Sequence, residues 1–319
     1  MILPGLSSAT TPAGGDVGFS FSPGGLLLPY HMGAADCLVR ARRLDPASTF
    51  VAGSSAGAIA AAAIGCGLDP VVGLEGTIAI SERCRAAGVG ARGNLGPLLQ
   101  EQLEGIIDDE AFAFLRARWR RPGPDGGGGG GEDDADAQAG GTGVALAYRE
   151  VFPAPGRSIL QTTFASRADL FRAVGYSCAF PFFTTNLPCA VDFGDGGGGG
   201  PRLPRLLVDG YFALPREQFG CPVLEEAFPD AGVARTVAIA CIPQELFGMD
   251  AVFDGDSNNL ISIDGDDEDD PLGTAEIFRI ATQPSSREEL TALFERGYRD
   301  AERWCRREDD QRDKEARQN

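Results

Sequence analysis

Ser48-Thr49-Phe50-Val51-Ala52-Gly53-Ser54-Ser55-Ala56-Gly57-Ala58-Ile59-Ala60-Ala61-Ala62-Ala63-Ile64-Gly65 reads as three pieces in a row. Residues 48–52 are a short strand, residues 53–57 a turn of small side chains, and residues 58–64 an alanine-dense helix ended by Gly65 and Gly67. Upstream the same order recurs. Residues 17–22 form a mostly apolar run stopped by Pro23-Gly24-Gly25, and residues 30–43 repeat apolar and small side chains at helical spacing. Arg40, Arg42 and Arg43 fall in the last turns of that helix, where cations suit its dipole. Strand, glycine turn and helix, twice over, predict an α/β sheet.

Further along, residues 70–86 and 98–118 read as helices. Leu99, Leu103, Ile106, Ile107, Phe112 and Leu115 give the second an apolar stripe, which assigns these helices to packing rather than chemistry. Residues 143–152 and 158–164 suggest a β-hairpin, and Leu206-Leu207-Val208 a further strand. Residues 285–307 read as an amphipathic helix, with the last dozen charged residues expected to fray. Two glycine-rich stretches, 122–141 and 194–200, are expected to be disordered surface insertions. The Asp-rich stretch 250–270 fails as a calcium loop: counted from Asp254, the sixth position is Asn259 rather than Gly and the twelfth is Gly265 rather than Glu. A solvated acidic loop is the expectation there.

The formal charge is −18, from 46 acidic against 28 basic residues. Such a surface repels polyanions, which argues against nucleic acid as a partner. The eight cysteines are scattered singly with no zinc-ligand spacing, so free thiols in a reducing, cytoplasmic setting are expected and no metal is called for. Residues 1–16 lack the charged start and apolar block of a secretory signal; Ser7, Ser8, Thr10 and Thr11 lie in an acid-free stretch compatible with organelle targeting, but it holds no arginine. No run reaches the ~18 to 20 apolar residues that span a bilayer.

Gly53-Ser54-Ser55-Ala56-Gly57 is a G-x-S-x-G sequence between a strand and a helix, the form of a nucleophile elbow, with Ser55 lifted out of the sheet and the helix N-terminus aimed at a developing oxyanion. A glycine-rich chain also makes such turns without chemistry. The only histidine, His31, precedes the serine on the first helix. Either the serine is inert or a carboxylate activates it directly. A free Asp of pKa about 3.9 is a weaker base than His at about 6.5 by roughly 3.5 kcal/mol, a gap that burial narrows. Asp209 follows the strand Leu206-Leu207-Val208 and precedes Gly210, placing it at a strand end, although Asp-Gly is also an ordinary turn. Gly24-Gly25 can aim N–H groups at an oxyanion. No P-loop occurs, and Gly24-Gly25 lacks the G-x-G-x-x-G spacing of dinucleotide sites, so nucleotide binding ranks low.

These elements, in this order, resemble the patatin-like phospholipase family. The similarity extends through residues 21–33, 51–63 and the run Leu170-Phe171-Arg172-Ala173-Val174-Gly175-Tyr176-Ser177-Cys178-Ala179-Phe180-Pro181, covering about residues 17–215. Tyr30-His31-Met32-Gly33 is most similar to the triacylglycerol-lipase branch, which acts at lipid droplets. The resemblance implies a three-layer α/β/α sandwich with a mainly parallel sheet, and a Ser-Asp dyad with Ser55 as nucleophile and Asp209 as base. It carries the oxyanion donors to Gly24 and Gly25, and elbow geometry adds the Ala56 N–H. No cofactor is implied. The catalytic domain would span residues 17–220, with 221–319 completing or flanking it. Pro23, Leu28 and Tyr211 depart from the family pattern. Leu26, Leu27 and Leu28, where phospholipid-cleaving relatives often carry a cation, suggest a neutral glycerolipid substrate at a droplet or membrane surface. Phospholipase A, a lipid transacylase and a catalytically weak lipid-surface protein are the alternatives.

Overall fold

From Gly18 to Phe21 every residue is buried, as a strand covered on both faces requires. This run forms strand β1 (Val17–Phe21) in the computed structural model, which describes residues 17–118, 141–194, 203–243, 253, 258–263 and 273–318. The expected insertions lie outside the described residues apart from Gly141 and Gly194, as does most of the acidic stretch 250–270.

β1 lies between β2 (Val51–Ser54) and β7 (Arg235–Ala240), parallel to both. β3 (Val144–Phe152) extends the parallel sheet beyond β2, and β8 (Leu260–Ser262) extends it beyond β7. At β3 the direction changes. β4 (Arg157–Gln161) and β6 (Arg205–Val208) both pair antiparallel with β3, and β5 (Ala190–Asp192) pairs antiparallel with β6. The result is an eight-stranded sheet with a parallel centre and one antiparallel edge.

Alternation along the strands produces two apolar faces. Val51, Val144 and Leu146 point into the larger core, with α1 (Leu28–Arg40), α2 (Ala56–Gly65) and α6 (Arg167–Ser177). Ala52 and Ala145 point the other way, into a smaller cluster with Phe50, Phe228, Val233 and Leu224 of the short helix α7 (Leu224–Ala227). Helices therefore cover both faces, giving an α/β/α sandwich. The long C-terminal helix α9 (Arg287–Gln318) lies across α1 at backbone contact: a β-carbon at Gly33 would fall 1.8 Å from Phe294 O, and one at Gly297 2.0 Å from Tyr30 O. The Tyr30 hydroxyl donates to Asp300 at 2.8 Å, and Asp300 also receives Arg296 Nε at 3.3 Å, so the polar groups trapped at the crossing are paired.

Several boundaries differ from the sequence reading. α1 ends at Arg40; Arg42 lies beyond it with φ 57°, and Arg43 pairs with Asp309 instead of serving the helix dipole. The helix expected over 98–118 is two, α4 (Leu95–Ile106) and α5 (Asp109–Ala117), because the Asp108 carboxylate accepts the Ala111 N–H at 2.8 Å and starts a new helix. The charged tail does not fray. α9 continues to Gln318, and Glu308 is buried between Arg235 (2.9 Å) and Asn258 (2.7 Å). α3 (Pro70–Ala86) and α8 (Thr274–Thr282) complete the elements near the site.

Candidate active site

The turn expected over 53–57 contracts to one residue. Gly53 and Ser54 stay in β2, Ala56 begins α2, and Ser55 alone makes the corner at φ 54°, ψ −123°. A non-glycine residue holds that conformation at a cost of about 1–3 kcal/mol, so the surroundings must fix it. They do so sterically and by hydrogen bonds. A β-carbon at Gly53 would lie 2.2 Å from Gly57 O, and one at Gly57 would lie 2.1 Å from Phe21 O, so only glycines let β1, β2 and α2 meet here. The Ser55 N–H donates to Ser177 Oγ (2.9 Å), whose own hydroxyl donates to Ala147 O (2.6 Å). Cys178 Sγ donates to Ser55 O at 3.3 Å.

Asp209 comes to Ser55 from the opposite direction. Its strand β6 runs back along the outer half of β3, with Val208 beside Arg149. The carboxyl is therefore delivered by an antiparallel strand, not by the carboxyl end of a parallel one. Gly210 follows it because a β-carbon there would lie 2.3 Å from Ala147 O. Asp209 is fully buried; its N–H donates to Ala179 O (3.1 Å), and Oδ1 accepts the Tyr211 N–H (2.8 Å). Oδ2 is buried without a partner at full hydrogen-bond geometry, and the Ser55 hydroxyl is near enough to act on the carboxyl. Burial raises the Asp209 pKa from 3.8 to about 7, with the Tyr211 N–H and the Ser55 hydroxyl holding it down in part.

The third element is the turn after β1. Gly24 has φ −164° and Gly25 φ +58°, and among the described residues neither N–H has a backbone acceptor. The turn is clamped from behind. Ser22 N–H donates to Ile239 O (3.0 Å), Cys241 Sγ donates to Pro23 O (3.4 Å), and His31 Nε2 meets Ser22 O at 2.8 Å. Burial lowers the His31 pKa from 6.5 to about 4, so the ring is neutral and the nitrogen facing the carbonyl carries its proton. His31 does not line the site; it props the turn.

Ser55, Asp209, Gly24, Gly25 and Ala56 line one cavity of about 390 Å³, and Gly53 and Gly57 lie behind its wall. α2 contributes Ile59 and Ala63, one and two turns beyond the corner. Helices α3 and α4, expected only to pack, supply Val72, Gly76, Thr77, Ile80, Leu99, Gln102, Leu103 and Ile106. Phe180, Phe183, Tyr211, Phe219 and Phe278 add aromatic side chains to the lining. Asp209 is the one Asp, Glu, Lys or Arg among the lining residues. Sequence reading missed the bridging role of Ser177 and Cys178, although the run containing them stood out; Ser177, 122 residues from Ser55, reaches it only through the fold.

A family model described as patatin-like phospholipase matches residues 19–219, a span that contains Gly24, Gly25, Ser55 and Asp209. No curated protein matches the chain significantly.

Proposed function

The chain belongs to the patatin-like phospholipase family and is a lipid acyl hydrolase, and from that premise we propose that it cleaves neutral glycerolipids, triacylglycerol foremost, through Ser55 and Asp209. The supporting observation is a buried carboxyl of pKa about 7 beside a strained serine at the end of an apolar cavity. A base with a pKa near the working pH accepts a proton and returns it efficiently. Asp209 takes the Ser55 proton as Oγ attacks the ester carbonyl. The Gly24, Gly25 and Ala56 N–H groups receive the oxyanion. As the C–O bond to the leaving alcohol breaks, protonated Asp209 returns the proton to it. Water, deprotonated by Asp209 in turn, attacks the acyl-enzyme; the bond from the acyl carbon to Ser55 Oγ breaks, Asp209 returns the proton to Oγ, and a fatty acid is released.

Two features support the substrate class. No cationic side chain lines the cavity, so a phosphate drawn into it would find no counter-charge to offset its lost hydration. An engineered cavity of ~150 Å³ holds benzene, so about 390 Å³ is room for one acyl chain of roughly fifteen carbons and not for a whole triacylglycerol. The remaining chains would stay in the lipid phase. A fluorophosphonate probe is expected to label Ser55 and to leave Ser55→Ala unlabelled, and the wild type is expected to favour triolein over phosphatidylcholine at least tenfold. Labelling that persists in Ser55→Ala, or a preference for phosphatidylcholine, would overturn the reading.

Gly76 gives a test of the chain site. A β-carbon there would stand 3.5 Å from Ile106 Cδ1 and 3.7 Å from Gln102 Oε1, both in the cavity wall, so a longer side chain grows into the space. Gly76→Leu in α3 also gains helix propensity of up to about 1 kcal/mol, so the fold should tolerate it. The ratio of kcat/KM for palmitoyl over butyryl nitrophenyl esters is expected to fall at least tenfold. Gly105→Leu in α4, where an added β-carbon meets nothing within 4 Å, should leave the ratio as it is.

A further inference from the structure

Five of the eleven exposed large apolar side chains among the described residues gather on one face: Val89, Phe180, Phe182, Leu187 and Phe278. Phe180 and Phe278 belong to the cavity lining and are 40% and 45% exposed, so they stand at its mouth. Phe182 and Val89 line a shallow groove that shares Phe180, Phe183 and Thr282 with the cavity. The Phe182 N–H donates to Leu187 O at 3.0 Å, which brings Leu187, 57% exposed, into the same patch.

Phe182 is held there against its own preference. Its φ of 58° is a conformation bulky side chains avoid, yet half of its surface faces solvent. The segment is pinned to the loop between α3 and α4 and to the first turn of α4: Arg92 Nε donates to Phe182 O at 3.0 Å and Gly96 N–H to Thr184 O at 2.8 Å. Full burial of the ring does not offset this strain, since half of it stays exposed, and such outliers collect at functional surfaces. Connected exposed apolar groups of this kind mark contact with a partner or a membrane.

We propose that Val89, Phe180, Phe182, Leu187 and Phe278 form the face by which the protein docks on a phosphatidylcholine-covered neutral-lipid surface, setting the cavity mouth against it. The proposal rests on the acyl-hydrolase reading above and identifies the partner of that site. Continuity between patch and cavity favours lipid as the occupant, because an acyl chain can then pass from the lipid phase into the cavity without crossing water. Charge narrows it further. The overall charge of −18 disfavours a strongly anionic bilayer and a second copy of the chain, while Arg85 and Arg92 in the groove can meet the phosphates of zwitterionic headgroups. Among the described residues no helix is long and apolar enough to cross a membrane, so the contact is made by side chains at the surface.

The full chain carrying Ser55→Ala is mixed with phosphatidylcholine-coated triolein droplets, and the bound fraction is measured by flotation. Adding Phe182→Asn and Leu187→Ser is expected to lower the partition coefficient at least tenfold, whereas Val151→Ser, an exposed apolar site on β3, should not change it. Asparagine tolerates the left-handed conformation, so a melting temperature at or above the parent's shows that the fold survives. Unchanged flotation of the double variant overturns the proposal. So does a dimer in sedimentation that the double variant converts to monomer, which would assign the face to a second copy. Flotation of the parent with no hydrolysis of any ester by the wild type would instead remove the catalytic reading and leave the face.

Discussion

Asp209→Asn is expected to lose at least 10³-fold in kcat/KM for ester hydrolysis and, at pH 8, to melt at a higher temperature than the wild type. The first half follows from removing the base: a positioned general base contributes about 10² to 10⁴, and the same group must also protonate the leaving alcohol. The second half comes from linkage. The folded pKa, about 7, lies above the unfolded value of 3.8 because burial penalises the charge. Below pH 3.8 both states are protonated and the carboxyl is harmless. Between the two values the unfolded chain releases the proton while the folded one keeps it, so stability falls as pH rises and levels off above pH 7. The full difference is roughly 4 kcal/mol as a ceiling, at 1.36 kcal/mol per pKa unit. Asparagine keeps a carbonyl to accept the Tyr211 N–H and carries no charge. Thermal melts should give Asp209→Asn an advantage of order 5 °C at pH 8, shrinking towards pH 4. Wild-type kcat/KM should climb with an apparent pKa near 7. A variant less stable than wild type at pH 8 would show that the carboxylate is no burden, and the proposed base would lose its basis.

Gly57→Ala is expected to destabilise the protein by at least 2 kcal/mol in urea unfolding and to lower kcat/KM at least 100-fold, although it adds a single methyl group. Helix propensity alone gives the opposite sign, since alanine in a helix gains about 1 kcal/mol over glycine. Position decides. The added carbon would lie 2.1 Å from Phe21 O and 2.7 Å from Ser22 O, both backbone atoms, so neither can yield without moving β1 or the turn that carries Gly24 and Gly25. Overpacking of this kind costs about 1–3 kcal/mol and shifts backbone. Gly105→Ala, in open space on α4, should stabilise the chain and serves as the counterpart. If the two variants behave alike, the elbow is looser than its contacts imply.

The elbow was legible in the sequence because its determinants are local: an apolar run, glycines at 53 and 57, and a helix-forming tract after them. Asp209 was legible for a related reason, as an acidic residue between an apolar run and a glycine. The direction of β6 was not. Four residues pair equally well either way, and only the register, with Val208 opposite Arg149 and Leu207 opposite Glu150, decides it. The stripe of α4 was read correctly as apolar and wrongly as packing alone, since a residue that lines a cavity for hydrocarbon chains has the same chemistry as one that fills a core. Ser177 acts through backbone atoms of Ser55 and Ala147, 122 and 30 residues away, and His31 through the Ser22 carbonyl across the glycine turn, contacts that composition and spacing do not encode. Glu308 looked like part of a charged tail because its partners, Arg235 and Asn258, are 73 and 50 residues away.

The span shared with the family ends at residue 219, but the neighbour of β1 on one side is β7, at Arg235–Ala240, and the cover of α1 is α9. A chain cut at 219 would turn β1, an interior strand of the sheet, into an open edge, with unpaired N–H and C=O groups exposed for other chains to add to. It would also uncover Gly33 and Tyr30 on the helix that carries His31, and with them the prop beneath the glycine turn. The boundary of family likeness is thus not a boundary of folding: a form shortened to residue 219 would lose the support beneath its glycine turn and expose an edge open to aggregation.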